Sequence, residues 1–297
     1  MGNIVLALGF FDGIHLGHGA LLDKTKERAK ELGLPPAVFT FDRHPRQVIT
    51  GKPTPLINSA ADRQEILHRI YGIERIFVCP FTEEVMHLSP RDFIRRYLHE
   101  AYGVAHVVAG HDFHFGYRNE GNPQILQEEC AKLGIGCDIV PRVELEGITV
   151  SSSYIRELLQ KGEMARAGHF LGHPYSISGT VRHGLHIGTT LGVPTVNLDL
   201  PEGTLVPAHG VYLSRVFLEN GKSYPSLTNI GVRPTVKSGS AANAESFLLD
   251  FSGDLYGQTL RLELYDFLRP EAKFDSLAAL QSQITQDIAR AKEYFKL

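Results

Sequence analysis

The most chemically suggestive feature of the sequence is a glycine-rich loop that carries two histidines three residues apart. An apolar run ends at Gly9, and His15 and His18 follow before an amphipathic segment begins. Gly13 and Gly17 allow the backbone of this stretch to approach a ligand closely. If a helix begins between the histidines, both imidazoles lie at its positively polarised N-terminus, where they suit a phosphate undergoing substitution. The spacing alone equally fits a tight turn with two surface histidines.

Further polar segments follow apolar runs of strand length in the same half of the chain. Asp42 and His44 follow the second run, and Asp112 follows the fourth. After the fifth run comes a serine cluster, Ser151–Ser153, with Arg156 shortly beyond it. Serine hydroxyls and an arginine at a helix start can form a second anion site, although one serine is expected to act as an ordinary helix cap.

The histidines also allow a metal hypothesis, in which His111 and His114 join the first pair as zinc ligands. Zinc sites usually add cysteine or carboxylate ligands at defined spacings, and no such spacing is visible. Cys79, Cys130 and Cys137 lie in or beside apolar runs and fit no metal or disulfide pattern. The cysteines are therefore predicted to be buried, reduced thiols of a cytosolic protein. A metal hydrolase is the less favoured interpretation of the histidines.

The elements that must position these residues alternate along the first half of the chain. Short apolar runs are separated by segments whose apolar residues recur every three or four positions. The predicted strands are Ile4–Phe10, Ala37–Phe41, Arg75–Phe81, Ala105–Ala109 and Cys137–Val143. The predicted helices are Ala20–Leu32, Ala60–Tyr71, Pro90–Tyr102, Pro123–Leu133 and Ser151–Phe170. This alternation predicts a doubly wound α/β fold with a parallel sheet, whose ligands bind beyond the carboxyl ends of the strands.

The pattern changes after Gly172, where short strand-like runs are separated by glycine and proline. The predicted strands are Ile177–Val181, Thr195–Leu198, Val211–Leu218, Ser226–Ile230, Ser246–Phe251 and Thr259–Phe267. They predict a small antiparallel β-barrel. Ser276–Phe295 has apolar residues on one face and is predicted to form a C-terminal amphipathic helix. We therefore predict two domains, residues 1–173 and residues 174–297.

Composition argues against several classes of function. The net charge of −3 and the lack of a basic run argue against nucleic acid as a partner. No apolar stretch reaches the roughly 20 residues of a membrane-spanning helix, and the N-terminus lacks the basic region of a signal peptide. The sequence predicts a cytoplasmic protein that binds small molecules and neither membrane nor nucleic acid, and it predicts no oligomeric state.

Over nearly its whole length the chain resembles the prokaryotic bifunctional riboflavin kinase/FMN adenylyltransferase family, the FAD synthetases. The matching segments occur in the family's order. They are GFFDGIHLGH, FDRHP, GHDFHFG and VSSSYIR in the first half, LGHPYSISGTVRHG at the junction, and LGVPTVNL, PAHGVYLSRV, TNIGVRPTV, AESFLLDFSGDLYG and FLRPEAKF in the second half. So many ordered matches are far more specific than any single motif.

For the first domain the resemblance implies an FMN adenylyltransferase, in which the FMN phosphate attacks the α-phosphorus of Mg²⁺-bound ATP and pyrophosphate leaves. His15 and His18 would be the catalytic residues and would contact the ATP phosphates. The implied ATP-binding residues are Gly9, Phe11, Asp12, Gly17, Ser151, Ser152 and Arg156. The implied flavin-binding residues are Asp42, His44 and Asp112.

For the second domain the resemblance implies a riboflavin kinase, which transfers the γ-phosphate of ATP to the riboflavin 5′-hydroxyl. Glu245 would be the catalytic carboxylate that deprotonates this hydroxyl. Thr195 and Asn197 would bind Mg²⁺ and phosphate, and Gly188 would lie at the ATP site. A carboxylate in this role needs only hydrogen-bond reach and modest basicity.

The sequence departs from the family pattern mainly in the kinase segment. Thr189 stands where the family has arginine, Val196 where it has alanine, and Phe247 where histidine is common. Threonine cannot reproduce the forked, charged contact of arginine with phosphate. In the first domain, Arg43 replaces a usual proline, which removes a rigid turn residue and no catalytic group.

Two hypotheses therefore stay open: a bifunctional enzyme, or an FMN adenylyltransferase whose kinase-like domain is weak or inactive and serves as a flavin-binding scaffold. Two hypotheses from other functional classes also stay open. A nucleotidyltransferase for another phosphorylated alcohol would explain the first half of the chain and leave the kinase-like half unexplained. A flavin-binding regulator without turnover would require His15 and His18 to be dispensable.

Overall fold

The computed structural model describes residues 2–182, 195–232 and 242–297 of the chain. Contacts divide the chain into two compact units, the first made of Met1–Leu56 and Ala60–Ser152 and the second of Ile57–Ser59 and Ser153–Leu297. The predicted boundary between functional domains, after residue 173, stays a prediction. Within the described ranges no helix is both long and apolar enough to cross a membrane.

A parallel sheet of five strands forms the centre of the first unit, in the order β3-β2-β1-β4-β5. Its strands are β1 (Ile4–Leu8), β2 (Pro36–Phe41), β3 (Arg75–Cys79), β4 (Val104–Gly110) and β5 (Gly136–Val140). All residues of β1 are buried because apolar side chains cover both faces of the sheet. Leu6 and Phe39 lie in one apolar layer and Val5 and Val38 in the other, as the alternation along a strand requires. The predicted doubly wound α/β fold is confirmed.

Helices flank this sheet. They are α1 (Leu16–Leu32), α2 (Pro45–Thr50), α3 (Ala60–Tyr71), α4 (Glu83–Met86), α5 (Pro90–Phe93), which continues as a π-helical segment (Ile94–Ala101), and α6 (Pro123–Lys132). A two-stranded hairpin pairs β6 (Glu144–Leu145) with β7 (Ile148–Thr149). Helix α1 has His15 as its N-cap and ends at Gly33, whose φ of 65° is the left-handed conformation that glycine adopts readily. The helix thus begins between His15 and His18, which is the position that a phosphate site requires.

The second unit is a closed barrel of six strands in the order β10-β11-β12-β9-β8-β13. The strands are β8 (Tyr175–Arg182), β9 (Thr195–Asp199), β10 (Gly210–Phe217), β11 (Ser223–Val232), β12 (Ala242–Leu248) and β13 (Thr259–Arg269). Helices α7 (Ser152–Lys161) and α8 (Met164–Leu171) precede the barrel, and α9 (Leu277–Phe295) follows it. Neighbouring strands are antiparallel, so the predicted small barrel and its C-terminal helix are confirmed.

The inner face of the barrel wall contains a fully buried row of hydroxyl groups from Ser214, Ser226, Thr228 and Ser246. Ser214 Oγ lies 2.8 Å from both Ser226 Oγ and Thr228 Oγ1, and Thr228 Oγ1 lies 2.7 Å from Ser246 Oγ. Because these hydroxyls satisfy one another, they can be buried without an unpaired polar group. Their hydrogen bonds tie β10, β11 and β12 together.

The outer face of the same three strands is apolar and lies under the C-terminal helix. Val211 and Leu227 pack in one cluster with Ala291 of α9, and Ile288 and Phe247 pack against that cluster. Since side chains alternate between the two faces of a strand, every second residue of β10, β11 and β12 faces this helix. A ligand site between helix and barrel can therefore use side chains from three adjacent strands.

One predicted helix is wrong in its extent. The sequence predicts a single helix over Ser151–Phe170, whereas the chain forms α7 and α8 there. The break falls at Gly162, whose φ is 78°. The N–H of Glu163 donates to the carbonyl of Leu158 and so closes the end of α7. A glycine at this point favours termination because it adopts the left-handed conformation without a steric penalty.

One predicted strand is also wrong in its bounds. The sequence predicts a strand over Ser246–Phe251, whereas β12 covers Ala242–Leu248. Asp250 has a φ of 55°, a conformation that a β-strand does not contain, so the strand cannot extend through it. Glu245 consequently lies inside β12 rather than before it.

Candidate functional sites

The paired histidines lie where the carboxyl end of β1 passes into α1. The rings of His15 and His18 stack with their centroids 3.8 Å apart and their planes 12° from parallel. His15 Nδ1 accepts a hydrogen bond from the backbone N–H of His18 at 3.3 Å, which makes His15 the cap of the helix. Two imidazoles are thus held together at the positive end of a helix of four to five turns.

The loop before the helix is strained. Phe11 and Ile14 have φ values of 58° and 43°, and left-handed conformations of this kind are rare for bulky or β-branched residues. A Cβ atom at Gly9 would come within 2.9 Å of the Phe11 ring, and one at Gly17 would come within 3.1 Å of the His15 ring. Both glycines are therefore needed for the close packing around Phe11 and His15, which are buried.

A hydrogen bond joins this loop to the start of α7. Ser152 Oγ donates to the backbone carbonyl of Asp12 at 2.9 Å, and the Asp12 residue is buried. Ser151 stands immediately before the first residue of α7, at its N-cap position. The predicted ATP residues Asp12, His15, His18 and Ser152 are thus close to one another in the first unit.

The electrostatics of the pair favour a neutral imidazole in the free protein. Burial lowers the pKa of His18 well below its usual range, and the nearby His15 and Arg63 lower it further. His18 Nδ1 is buried without a hydrogen-bond partner among the residues that the structure describes. The site can therefore receive a polyanion, whose charge would reverse the balance that keeps His18 neutral.

The burial of His18 leads to a prediction about pH: the free energy of unfolding should fall as the pH is lowered from about 7 to about 5. The pKa of His18 is lower in the folded chain than the ordinary 6.5, so the unfolded chain takes up this proton first. The contribution to stability is complete above the unfolded pKa and is lost as the pH falls below it. Denaturant unfolding of the wild type and of His18→Ala measures the effect. Replacement of the exposed His99 by alanine is the control and should keep the wild-type decline; an equal decline in His18→Ala would contradict the assignment.

The predicted flavin residues Asp42 and His44 lie at the carboxyl end of β2, beside the histidine loop. The imidazole of His44 packs edge-on against the ring of Phe10, with centroids 4.7 Å apart. Asp42 Oδ1 accepts a hydrogen bond from the N–H of Phe81 at 2.9 Å, which anchors the Asp42–His44 loop to the segment after β3. Arg43 Nε lies 3.4 Å from Asp42 Oδ2, so the residue that replaces the family's proline pairs with a predicted flavin ligand.

Asp112 lies at the end of β4, on the other side of β1, and its side chain is largely exposed. His111 Nδ1 is 3.9 Å from Asp112 Oδ1, and His114 Nδ1 contacts the carbonyl of Asp112 at 2.9 Å. Among residues 2–182, 195–232 and 242–297, no cluster of three or more histidines, cysteines or carboxylates is arranged to hold a metal ion. His111 and His114 are therefore not brought together with the first histidine pair as a zinc site in this structure.

Arg156 belongs to the second unit, in the second turn of α7, and it is partly buried. Arg63, a buried arginine of α3 that contacts the backbone of both site loops, is not among the residues predicted from the sequence. Its signal is visible in the sequence, because Arg63 lies at i, i+3 and i+4 spacing with the buried Ile66 and Leu67. An arginine on the apolar face of an amphipathic helix indicates a buried charge.

The second unit contains a cavity of about 320 Å³ between the outer face of the barrel and α9. Its lining residues are Thr195, Val211, Leu227, Asn229, Glu245, Phe247, Arg269, Glu271, Ala272, Phe274, Leu280, Ile284 and Asp287. The apolar members suit a flat aromatic ring, and the polar members lie on the barrel strands and at the rim. Arg269 Nη2 and Asp287 Oδ2 are 2.8 Å apart, which pairs these two charges.

Strand register brings the predicted kinase residues to the same surface. Glu245 pairs with Asn197 and Phe247 with Thr195 across β12 and β9, so all four side chains lie on one face. Asn197 is buried, and Asn243 Nδ2 lies 3.4 Å from Glu245 Oε1. Oxygen atoms from a threonine, an asparagine and a glutamate form a donor set that Mg²⁺ accepts.

The remaining predicted kinase positions, Gly188 and Thr189, lie outside the described residues. Val196 lies inside β9, on the opposite face from Thr195 and Asn197. Phe247 contributes an aromatic ring to the cavity where the family commonly has an imidazole. The changes at positions 196 and 247 therefore affect different faces of the barrel wall.

Taken together, the histidine loop on a doubly wound sheet and the carboxylate cavity on a closed barrel define a two-module nucleotide-dependent transferase. Comparison with known proteins gives the family. The family model for FAD synthetase matches residues 1–154, and the model for riboflavin kinase matches residues 171–295. The chain therefore belongs to the bifunctional riboflavin kinase/FMN adenylyltransferase family, and the resemblance drawn from its motifs is confirmed.

Curated relatives and a solved structure agree over nearly the full length. The bifunctional riboflavin kinase/FMN adenylyltransferase of Pseudomonas fluorescens is 39% identical over 97% of this chain and 92% of the relative. The proteins of the same name from Listeria monocytogenes and Bacillus subtilis are 36% and 37% identical over 99% and 98% of this chain, covering 93% and 92% of those relatives. A Streptococcus pneumoniae structure described as a macrolide-efflux protein is 32% identical, with a TM-score of 0.87 over 98% of this chain and 94% of that one. Its fold is the fold of this chain.

Proposed function

We propose that this chain produces FAD in two ATP-dependent steps, phosphorylation of riboflavin to FMN and adenylylation of FMN to FAD. The supporting observation is that each family model matches a part of the chain with its own site, one at the histidine loop and one at the Glu245 cavity. Both substrates and products are small molecules, and we place the reaction in the cytoplasm.

In the adenylylation step, an oxygen of the FMN phosphate forms a bond to the α-phosphorus of ATP while the bond to the bridging oxygen breaks and pyrophosphate leaves. His15 and His18 donate hydrogen bonds to the ATP phosphates at the N-terminus of α1 and stabilise the additional negative charge of the transition state. Gly9, Phe11 and Gly17 keep the loop close to the nucleotide. Asp12, Ser151 and Ser152 complete the ATP side of this site within the first unit. The family resemblance adds Arg156 to the ATP-binding residues.

The FMN side of the first site uses Asp42, His44 and Asp112 at the ends of the neighbouring strands. These residues orient the FMN phosphate toward the α-phosphorus, since no covalent intermediate on the protein is required. In this arrangement the rate depends on alignment of two bound substrates and on the charge around them.

In the phosphorylation step, Glu245 accepts the proton of the riboflavin 5′-hydroxyl as the hydroxyl oxygen attacks the γ-phosphorus and ADP leaves. Thr195 and Asn197 would hold Mg²⁺, which would neutralise phosphate charge when bound. The family resemblance adds Gly188, outside the described residues, to the ATP-binding residues. The apolar part of the cavity, including Phe247, excludes water from the flavin ring.

One incubation separates this proposal from the scaffold alternative, which Thr189 keeps open because it removes a forked phosphate contact. The purified chain is mixed with riboflavin, Mg²⁺ and ATP, and flavins are separated chromatographically; a parallel reaction starts from FMN. We expect FMN and FAD from riboflavin, and FAD from FMN. Conversion of FMN alone would reduce the second module to a scaffold, and failure with both flavins would overturn the proposed function.

A further inference from the structure

The side chain of Arg63, in α3, connects two loops of the proposed adenylylation site. One is the histidine loop after β1, and the other is the Asp42–His44 loop after β2. The Arg63 side chain is 2% exposed. Nη1 donates to the backbone carbonyl of Phe10 at 2.5 Å, and Nη2 donates to the carbonyl of Phe41 at 3.2 Å. Phe10 precedes the histidine loop, and Phe41 is the last residue of β2, directly before Asp42. One guanidinium thus fixes the distance between the backbone on the ATP side and the backbone on the flavin side.

The same side chain is also connected to a predicted flavin residue through the ring of Phe10. The guanidinium carbon of Arg63 lies 4.3 Å from the centroid of this ring. The imidazole of His44 packs edge-on against the same ring, with centroids 4.7 Å apart. Arg63 and His44 therefore share Phe10 as a neighbour, so the position of the guanidinium bears on the position of His44.

The polar contacts of Arg63 are made to the two loops and to Thr40 rather than to an ion-pair partner. Nε of Arg63 is buried without a hydrogen-bond partner, and in the described part of the chain no carboxylate lies within ion-pair distance of this guanidinium. Burial lowers the pKa of Arg63, while Asp12 and Asp42 raise it. An apolar side chain of similar length would fill the buried face of α3 and leave the carbonyls of Phe10 and Phe41 without this donor.

We propose that Arg63 is a positioning residue for adenylyl transfer, which holds the histidine loop and the Asp42–His44 loop in the relative position that aligns the two substrates. This inference rests on the proposed function, because it needs FMN and ATP to bind at these two loops. Alignment of two bound reactants accounts for much of the rate of such a reaction, and a displacement of about 1 Å can lower it about 100-fold.

Arg63→Lys and Arg63→Met separate geometry from charge. Lysine keeps the positive charge but, as a point charge on a flexible stem, cannot reproduce the planar fork that bridges the two carbonyls, so we expect kcat for FAD formation to fall about 10-fold. Methionine loses both bridge and charge, and we expect a fall of about 100-fold. The matched control is Arg69→Met, on the same helix, where the arginine is exposed and pairs with Glu65.

The pH profile supplies a readout that a purely structural role would leave unchanged. The charged and titratable groups that act on His18 are His15, stacked on its ring, and Arg63 from α3, while Asp12 and Asp42 act on Arg63. Because Arg63 lowers the pKa of His18, loss of the positive charge in Arg63→Met should move to higher pH the limb of the kcat/KM profile for FMN adenylylation that His18 causes. The same limb should stay in place in Arg63→Lys.

Three measurements on the full-length protein decide the outcome: FAD formation from FMN and ATP, FMN formation from riboflavin in the same samples, and the folded fraction by denaturant unfolding. FAD formation by the wild type is measured first, and its absence would overturn the proposed function together with this inference. If the wild type is active but both variants lose rate only in proportion to their folded fraction, with the His18 limb of the pH profile in place, Arg63 has no positioning role.

Discussion

Replacement of His18 by alanine is expected to lower kcat for FAD formation from FMN by about 100-fold or more, the usual effect of removing a preorganised transition-state contact. The side chain lies at the N-terminus of α1, stacked 3.8 Å from His15. In the proposed reaction this is where negative charge increases during attack at the α-phosphorus. The loss should appear in kcat more than in KM for ATP, because the contact strengthens as the transition state forms.

Riboflavin phosphorylation by the same His18→Ala sample provides an internal measure of intact protein, since the proposed kinase residues lie in the other unit. His99→Ala, a replacement of an exposed histidine in the first unit, serves as the matched control and should leave both activities at the wild-type level. Formation of FAD at the wild-type rate by His18→Ala would mean that this histidine is not catalytic.

The fold could be predicted because local periodicity and turn residues agree with the tertiary structure. The alternation of strand and helix patterns indicated the parallel sheet, and the glycine before His15 and the helix pattern after His18 placed the pair at the start of α1. The break at Gly162 was missed because the apolar spacing continues across it from α7 into α8. A glycine tolerated inside many helices gives no signal of termination until its φ is known.

Contacts between distant segments limited what the sequence could say about the sites. The hydrogen bond from Ser152 to the carbonyl of Asp12 joins residues 140 positions apart, and no spacing in the sequence encodes it. The side chain of Arg63 donates hydrogen bonds to the backbone carbonyls of Phe10 and Phe41. Every residue type has such a carbonyl, so the residues at these positions give no signal of the contact. Side-chain motifs therefore identify the groups that meet the substrate and overlook the groups that hold the loops.

The pairing register of the barrel strands is the feature of the second unit that the sequence could not predict. Glu245 lies 48 positions after Asn197 and 50 after Thr195, and the pairing of Glu245 with Asn197 across β12 and β9 brings the three side chains to one face. A shift by one residue would turn Glu245 into the barrel interior, toward the Thr228 hydroxyl, and would turn Ser246 outward. The chemistry of the cavity thus depends on a strand pairing that the sequence pattern does not specify.

The second large effect is expected from Glu245→Gln, which should lower kcat for riboflavin phosphorylation by about 100-fold or more, within the range of general-base contributions. Glutamine has the same length and keeps a carbonyl oxygen on the cavity surface, so flavin binding should persist. Formation of FAD from supplied FMN should remain at the wild-type rate, because the proposed adenylylation residues lie outside the barrel. Separating the flavins produced from riboflavin and from FMN measures both activities in one sample.

Glu202→Gln is the matched control for this prediction, since it removes the charge of an exposed glutamate in the same unit and should leave both activities unchanged. Wild-type phosphorylation by Glu245→Gln would show that the hydroxyl loses its proton to another acceptor. Retained FAD synthesis beside lost phosphorylation would establish that the two modules carry separate reactions, because a single shared site would lose both.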